Sequence, residues 1–193
     1  MQAKAMVAGV VLLAAMTEAG MAQTVGGKAA RDMVFAPGKA EVELLPQSFL
    51  PADQAEMLRM VGSQQAYYGA IAVSPDEGIM VEATVAAANY HTTEAASAAA
   101  LAGCEAKRKG AAPCAVVALI RPAGWQPQPL TLSAAATEAL RKDYGRRGAR
   151  AMAVSASTGV WGLGKGAGAA ETALRACSAM GQGVQDCTVT VAD

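Results

Sequence analysis

The sequence has few of the residues that usually build an active site or a nucleic-acid surface. Among its 193 residues there is one histidine, 4% are aromatic and 17% are charged, and the formal net charge is zero. A multi-histidine metal site needs more than one histidine, a G-x-S-x-G nucleophile motif is absent, and there are few aromatic side chains on which bases could stack. We therefore expect no metal, no cofactor and no nucleic-acid partner.

Apolar runs long enough to cross a membrane are also missing. The run Met6–Met16 is far shorter than the roughly 20 residues of a spanning helix. Lys4 precedes this run, and Gly20-Met21-Ala22 places small residues where a signal peptidase cuts. The pattern predicts a signal peptide over residues 1–22 and a periplasmic or secreted protein; an uncleaved anchor and a buried N-terminal helix are the alternatives.

What the sequence does contain is one pattern written twice. AIAVS at 70–74 corresponds to AMAVS at 151–155, an offset of 81 residues. The cysteine pair Cys104 and Cys114 corresponds to Cys177 and Cys187, with the same spacing but an offset of 73. We interpret this as two tandem copies of one unit, the second with a hairpin eight residues shorter.

Each copy predicts the same order of elements. Turn residues between apolar runs indicate a hairpin, whose returning strand in the first copy is predicted over 79–88, and an Ala-rich helix with Thr92 or Thr93 as its cap follows. The predicted fold class is α+β: two tandem strand-strand-helix-strand repeats, each preceded by a helix, the second of these helices capped by Ser133. The predicted segments are a flexible N-terminal arm at 23–40, repeat 1 at 41–122, a linker at 123–129 and repeat 2 at 130–193, with both repeats in one compact domain.

The four cysteines are expected to form disulfides, because export would place them in an oxidising compartment. Four cysteines permit three connectivities. The duplication favours one of them, in which Cys104 pairs with Cys114 and Cys177 with Cys187, since each copy is then self-sufficient. Free thiols or a metal site would call for a C-x-x-C motif or nearby histidines, and neither is present.

These motifs resemble a family of small exported bacterial domains of unknown function. The shared features are the A-x-A-V-S strand, an Ala-rich helix ending A-L-x-x-C, and a second cysteine about ten residues later that opens a Val-rich strand. The second copy, 151–191, is the more similar; the first departs from the pattern through its longer hairpin and its basic run Lys107–Lys109. The resemblance implies an exported, disulfide-bridged α+β module and assigns no catalytic residue.

Charge is unevenly distributed along the chain. Residues 23–100 hold four Lys and Arg against nine Asp and Glu, whereas residues 101–193 hold eleven against six. Complementary halves that face each other, or simple solvation, would explain this. The alternative is an anionic partner, such as a cell-wall polymer, on the second half. Its candidate contacts are the basic residues Arg141, Arg146, Arg147 and Arg150.

Residues 159–165, GVWGLGK, match the G-x-x-x-x-G-K of a phosphate-binding loop. The next residue is Gly166 in place of the Ser or Thr that would hold magnesium. We therefore interpret the segment as a glycine-rich strand and turn in which small residues permit close packing.

Two further groups could carry function. Tyr90 and His91 end the long hairpin of the first copy, where loops often bind partners; His91 is also the one candidate general base. The carboxylate pairs Glu41 with Glu43 and Asp76 with Glu77 could act on a glycan, although solvation is their simpler role.

The leading functional hypothesis is an exported, non-enzymatic binding protein of the cell envelope. It would recognise another envelope protein or a cell-wall polymer through the hairpin at 78–91 and the basic segment at 141–150. One alternative is a small envelope hydrolase that uses His91 with a carboxylate, and another is a structural or stress-related envelope protein.

Overall fold

The computed structural model describes residues 24–193, so the predicted signal peptide lies outside the described residues. Five helices and seven strands form a mixed α+β fold with two small antiparallel sheets. In chain order the elements are α1 (Gly27–Met33), β1 (Ala40–Leu44), α2 (Ala52–Gly62), β2 (Gly69–Val73), β3 (Val85–Ala87), α3 (Thr93–Glu105), β4 (Ala115–Pro122), α4 (Ala134–Lys142), β5 (Arg150–Ser155), β6 (Trp161–Lys165), α5 (Ala169–Met180) and β7 (Cys187–Ala192).

The first unit is a four-stranded sheet, in the order β1-β4-β2-β3, between two helices. Because side chains alternate along a strand, β2 sends Ile71 and Val73 to one face and Ala70 and Ala72 to the other. The first face packs with Leu58 of α2, while the second packs with the small residues of α3. The alanine content of α3 therefore lets this helix lie close to its sheet.

The second unit repeats this arrangement with the order β6-β5-β7. Met152 and Val154 of β5 pack with α4, and Ala151 and Ala153 pack with α5. Both central strands shift register against the last strand of their unit at the same place, between Ile71 and Ala72 and, 81 residues later, between Met152 and Ala153. The predicted order, strand-strand-helix-strand preceded by a helix, is confirmed in each unit.

Both predicted disulfides are present. Cys104 pairs with Cys114 and Cys177 with Cys187, with Cα atoms 6.1 and 6.2 Å apart. Each bridge ties the end of the Ala-rich helix to the strand that follows it. In the loop-entropy description, closing a loop of this length stabilises the fold by about 2.8 kcal/mol.

The prediction of a flexible arm over residues 23–40 is wrong for the part that the structure describes. Val25 forms a parallel bridge with Val191 on the outer edge of β7, its N–H donating to Thr190 and its C=O accepting from Ala192, both at 3.0 Å. Helix α1 then packs on α4, with Ala30 fully buried. The small residues that suggested a loose arm are what allow this helix to approach so closely.

The eight-residue difference between the hairpins is split between two places. Matching positions are 81 residues apart at Ala70 and Ala151, 77 apart at Ala87 and Gly164, which pair with them, and 73 apart at the cysteines. Four extra residues therefore lie in the turn before β3 and four in the exit after it. We call residues 78–84 the arm loop and residues 88–92 the junction loop.

The predicted returning strand over 79–88 is correspondingly shorter. Only Val85–Ala87 pairs with β2, while the arm loop consists of turns and bends. Ile79 points inward and is buried, whereas Met80 is 88% exposed. Within residues 24–193, no helix is long and apolar enough to cross a membrane.

Candidate functional site

The basic residues predicted to bind an anionic partner divide into two classes. Arg141 lies at the end of α4 and donates from Nη2 to the Val34 carbonyl at 3.1 Å and the Arg31 carbonyl at 3.4 Å. These carbonyls belong to the last turn and the cap of α1, where backbone acceptors lack partners within the helix. Arg141 therefore fastens α1 to α4.

Arg150 is also occupied by its own chain. Its guanidinium lies 2.9 Å from Asp193 Oδ2, donates to the Gly148 carbonyl at 2.8 Å and stands over the Tyr144 ring at 5.4 Å from the centroid. Burial, with the nearby Asp193 carboxylate, raises the pKa of Tyr144 to about 12. Arg146 and Arg147 remain exposed. Half of the predicted basic set therefore serves the fold, and the four arginines do not converge on one surface.

His91 lies in the interior of the molecule, 3% exposed, between the two units. Its Nδ1 accepts the Ser133 backbone N–H at 3.0 Å, so its Nε2–H donates to the Val160 carbonyl at 2.9 Å. Burial lowers the pKa of His91, partly offset by the Val160 hydrogen bond and by Asp186. Both ring nitrogens are used, and this arrangement provides no free base for a substrate.

The rest of the junction loop makes the same connection. Asn89, with a left-handed backbone (φ 64°), accepts the Ala135 N–H on its side-chain oxygen at 3.0 Å. Gly159 of the second unit lies so close that a Cβ there would be 1.8 Å from the Asn89 carbonyl oxygen. Ser133 caps α4 through Ala136 N–H, as predicted, and also donates to the Gly159 carbonyl at 3.3 Å. The four residues inserted after β3 therefore join the units.

Tyr90 faces a different environment from His91. Its backbone exchanges hydrogen bonds with Tyr68, at 3.0 and 3.4 Å, and its half-buried side chain packs against the cluster beneath α3. The predicted pair Tyr90 and His91 is consequently divided between the first unit and the junction. Neither side chain is presented on an exposed loop.

The motif at 159–165 resembles a phosphate loop for a structural reason. Gly162 and Gly164 of β6 face α5, where a Cβ would lie 2.3 Å from the Ala173 carbonyl oxygen and 1.9 Å from the Ala169 carbonyl oxygen respectively. The segment continues as a strand paired with β5. The expected role in close packing is the one the contacts support.

The largest apolar surface lies elsewhere, between α2 and the arm loop. We call it the Met groove: a pocket of about 360 Å³ lined by Met57, Leu58, Met60, Val61, Ile79, Met80 and Thr84. Met60 is 60% exposed and Val61 50% exposed, although Leu58 already supplies the inward face of the helix. Solvent-exposed apolar side chains gathered in one place mark binding surfaces.

A second, more polar pocket of about 700 Å³ continues from the Met groove along the arm loop. It shares Ile79, Met80 and Thr84 and adds Glu82, Lys107 and Lys109. Glu77, at its edge, is held in place because its carboxylate accepts the backbone N–H groups of Lys109 and Gly110 at 3.0 and 3.1 Å. The two pockets together form one continuous surface on the first unit.

Sequence analysis identified half of this surface. The arm loop falls within the predicted binding hairpin at 78–91, but α2 was read only as a helix. A signal was present, since Met57, Met60 and Val61 supply apolar residues beyond those needed for one buried face.

The described residues, 24–193, contain no group of three His, Cys, Asp or Glu side chains that could hold a metal ion. Neither a scan against protein-family models nor searches of curated proteins and solved structures find a match to the chain.

Proposed function

We propose that this chain is an exported, non-enzymatic interaction protein of the cell envelope, and that its Met groove binds another envelope protein. The observation that carries the proposal is the exposure of Met57, Met60 and Met80 around one groove. Methionine is flexible and polarizable, so it suits a surface that must adapt to a partner. Two disulfides are compatible with an oxidising compartment.

A protein partner is favoured over an anionic polymer. The exposed apolar area lies on the first unit, whereas Arg141 and Arg150 of the second unit are engaged with backbone carbonyls and Asp193. A hydrolase built on His91 has less support, because both ring nitrogens of His91 are hydrogen-bonded inside the molecule. The same proposal treats the two units as copies of one ancestral module and the N-terminal segment as a cleaved signal peptide.

The test is to place charge in the groove without disturbing the core. Met60→Glu combined with Met80→Glu should abolish capture of the partner in cells treated with a cleavable crosslinker, because a buried carboxylate would have to be desolvated at the interface. Met180→Glu is the matched control, since Met180 is 50% exposed at the far end of α5.

The supporting result is one crosslinked species shared by wild type and Met180→Glu and lost in the double variant. Equal capture by all three proteins, or no species above background, would contradict the proposal. Near-UV circular dichroism of the purified proteins establishes that the double variant is folded.

A further inference from the structure

The Met groove brings three thioether sulfurs to one place from two elements. Met57 and Met60 are three residues apart on α2 and therefore lie on the same side of the helix. Met80 approaches from the arm loop, and all three side chains line the same pocket of about 360 Å³. They are 42%, 60% and 88% exposed, so their sulfurs are accessible to a solute.

Thioether sulfur is a soft, neutral ligand that selects Cu(I) among the common metal ions. The harder or stronger ligands of the described chain are engaged: all four cysteines are in disulfides, and the ring of His91 is buried and bonded on both sides. Of the other described methionines, Met152 is fully buried and Met33 packs into the core beside α1. The groove is thus where soft, accessible donors converge.

We propose that Met57, Met60 and Met80 form a binding site for a soft monovalent metal ion, Cu(I), held by their three Sγ atoms. Three rotatable bonds let each side chain turn its sulfur toward a common point. The ion binds without any change in its oxidation state, and the neutral ligands leave its charge at +1.

The inference goes beyond the docking function and does not rest on it. Replacing methionine by leucine keeps the groove apolar and of similar volume but removes the sulfur. Leucine variants should therefore lose the metal while keeping a docked protein, and the glutamate variants described above test docking alone.

The experiment uses Ag(I) as the probe, because it has the closed-shell configuration of Cu(I) and requires no reductant that would open the disulfides. The purified chain, with ¹³C-labelled methionine methyl groups, is titrated with Ag(I) and followed by NMR. The methyl signals of Met57, Met60 and Met80 should shift together and saturate at one equivalent, while those of Met152 and Met180 stay in place. Zn²⁺ should shift none of them.

The variants then assign the ligands. Each single change, Met57→Leu, Met60→Leu or Met80→Leu, should weaken Ag(I) binding by roughly tenfold or more, the size of loss seen when metal sites are perturbed. The triple variant should show no saturable binding, and Met180→Leu should bind as wild type does. The proposal is overturned if the triple variant binds as tightly as wild type, or if Met180 shifts alongside the groove methionines. The wild-type titration stands even if a variant fails to fold.

Discussion

The two units make the same contact between helix and hairpin with glycine on opposite partners. In the first unit Val85 of β3 faces Gly103 of α3, where an added Cβ would be 3.0 Å from a Val85 methyl carbon. In the second unit the position of Val85 is taken by Gly162, and a Cβ there would be 2.3 Å from backbone atoms of α5. The helix of the second unit therefore lies against the strand backbone itself, and its hairpin is held the more tightly of the two.

This difference explains where the additional residues of the first unit can be accommodated. Its hairpin keeps side chains between strand and helix, and it carries four extra residues before β3 and four after it. The first insertion becomes the arm loop, with Met80 in solvent, and the second becomes the junction loop with His91. One insertion thus provides a surface for binding, and the other attaches the two units to each other.

The largest expected effect comes from giving the second unit the residue of the first. Gly164 corresponds to Ala87, but a Cβ on Gly164 would be 1.9 Å from the Ala169 carbonyl oxygen. Gly164→Ala should lower the free energy of unfolding by about 3 kcal/mol or more, because backbone has to move. Urea unfolding measures this, with Gly103→Ala as the control, since there only a side-chain methyl must yield. Equal losses would show that the two helix contacts are alike.

The disulfides should behave as equals despite the different packing around them. Each closes a loop with a sequence separation of 10, so replacing either cysteine pair by alanine should lower the free energy of unfolding by about 2.8 kcal/mol in the loop-entropy description. Paired urea titrations of the two double variants measure the costs. A bridge that costs far more in one unit would mean that the units do not unfold together.

His91 should make the junction sensitive to acid. Burial lowers the pKa of His91 in the folded protein, below its ordinary value of 6.5, so the unfolded chain takes up the proton more readily. The contribution is fully present above about pH 6.5 and is lost as the pH falls from there toward the folded-state pKa. The difference in the free energy of unfolding between wild type and His91→Gln should therefore shrink or reverse between about pH 7 and 5.

His91→Ala at neutral pH should lower the free energy of unfolding by about 1–3 kcal/mol, because Ser133 N–H and the Val160 carbonyl would lose their partner. A difference between wild type and His91→Gln that does not vary with pH over the same range would contradict the role given to the ring.

The smallest effect concerns carboxylates that brace the same end of each unit from opposite strands. Glu77, in the turn after β2, holds the loop before β4, whereas Asp186, before β7, holds the turn after β5 through Ser155 Oγ at 2.6 Å and Ser157 N–H at 2.7 Å. These hydrogen bonds lower the pKa of Asp186 to about 2. Its contribution is thus present above about pH 4 and lost as the pH falls toward 2.

Asp186→Asn should lower the free energy of unfolding by about 1 kcal/mol at pH 7, and by progressively less in acid. Glu77→Gln should have the weaker effect, because its carboxylate accepts only from exposed backbone N–H groups. Thermal unfolding of both variants at neutral and acid pH measures the difference, and a larger loss from Glu77→Gln would reverse the expected order.

Features with a local cause could be predicted from the sequence. The cysteine spacing, the strand pattern and the caps at Thr92 and Ser133 depend on nearby residues, and so does the order of elements in each unit. The edge contact of Val25 with Val191 could not be predicted, because a single parallel bridge across 166 residues leaves no periodic signal.

The candidate site was predictable only in part for a related reason. The hairpin at 78–91 was identified from its length, but which part of it turns outward depends on tertiary contacts. His91 is drawn inward by Ser133 and Val160, two groups distant in sequence, and Met80 is left outside. The outward face of α2 became visible only when Leu58 was seen to satisfy the core alone.

Photo-crosslinking from equivalent turns tests most directly the assignment of binding to the arm of the first unit. A photoreactive amino acid replaces Met80 in the arm loop or, in a second protein, Ala156 in the exposed turn after β5, and both proteins are irradiated in cells. A protein adduct formed from position 80 and not from position 156 is the predicted result. An adduct from position 156 alone, or from neither position, would contradict the account.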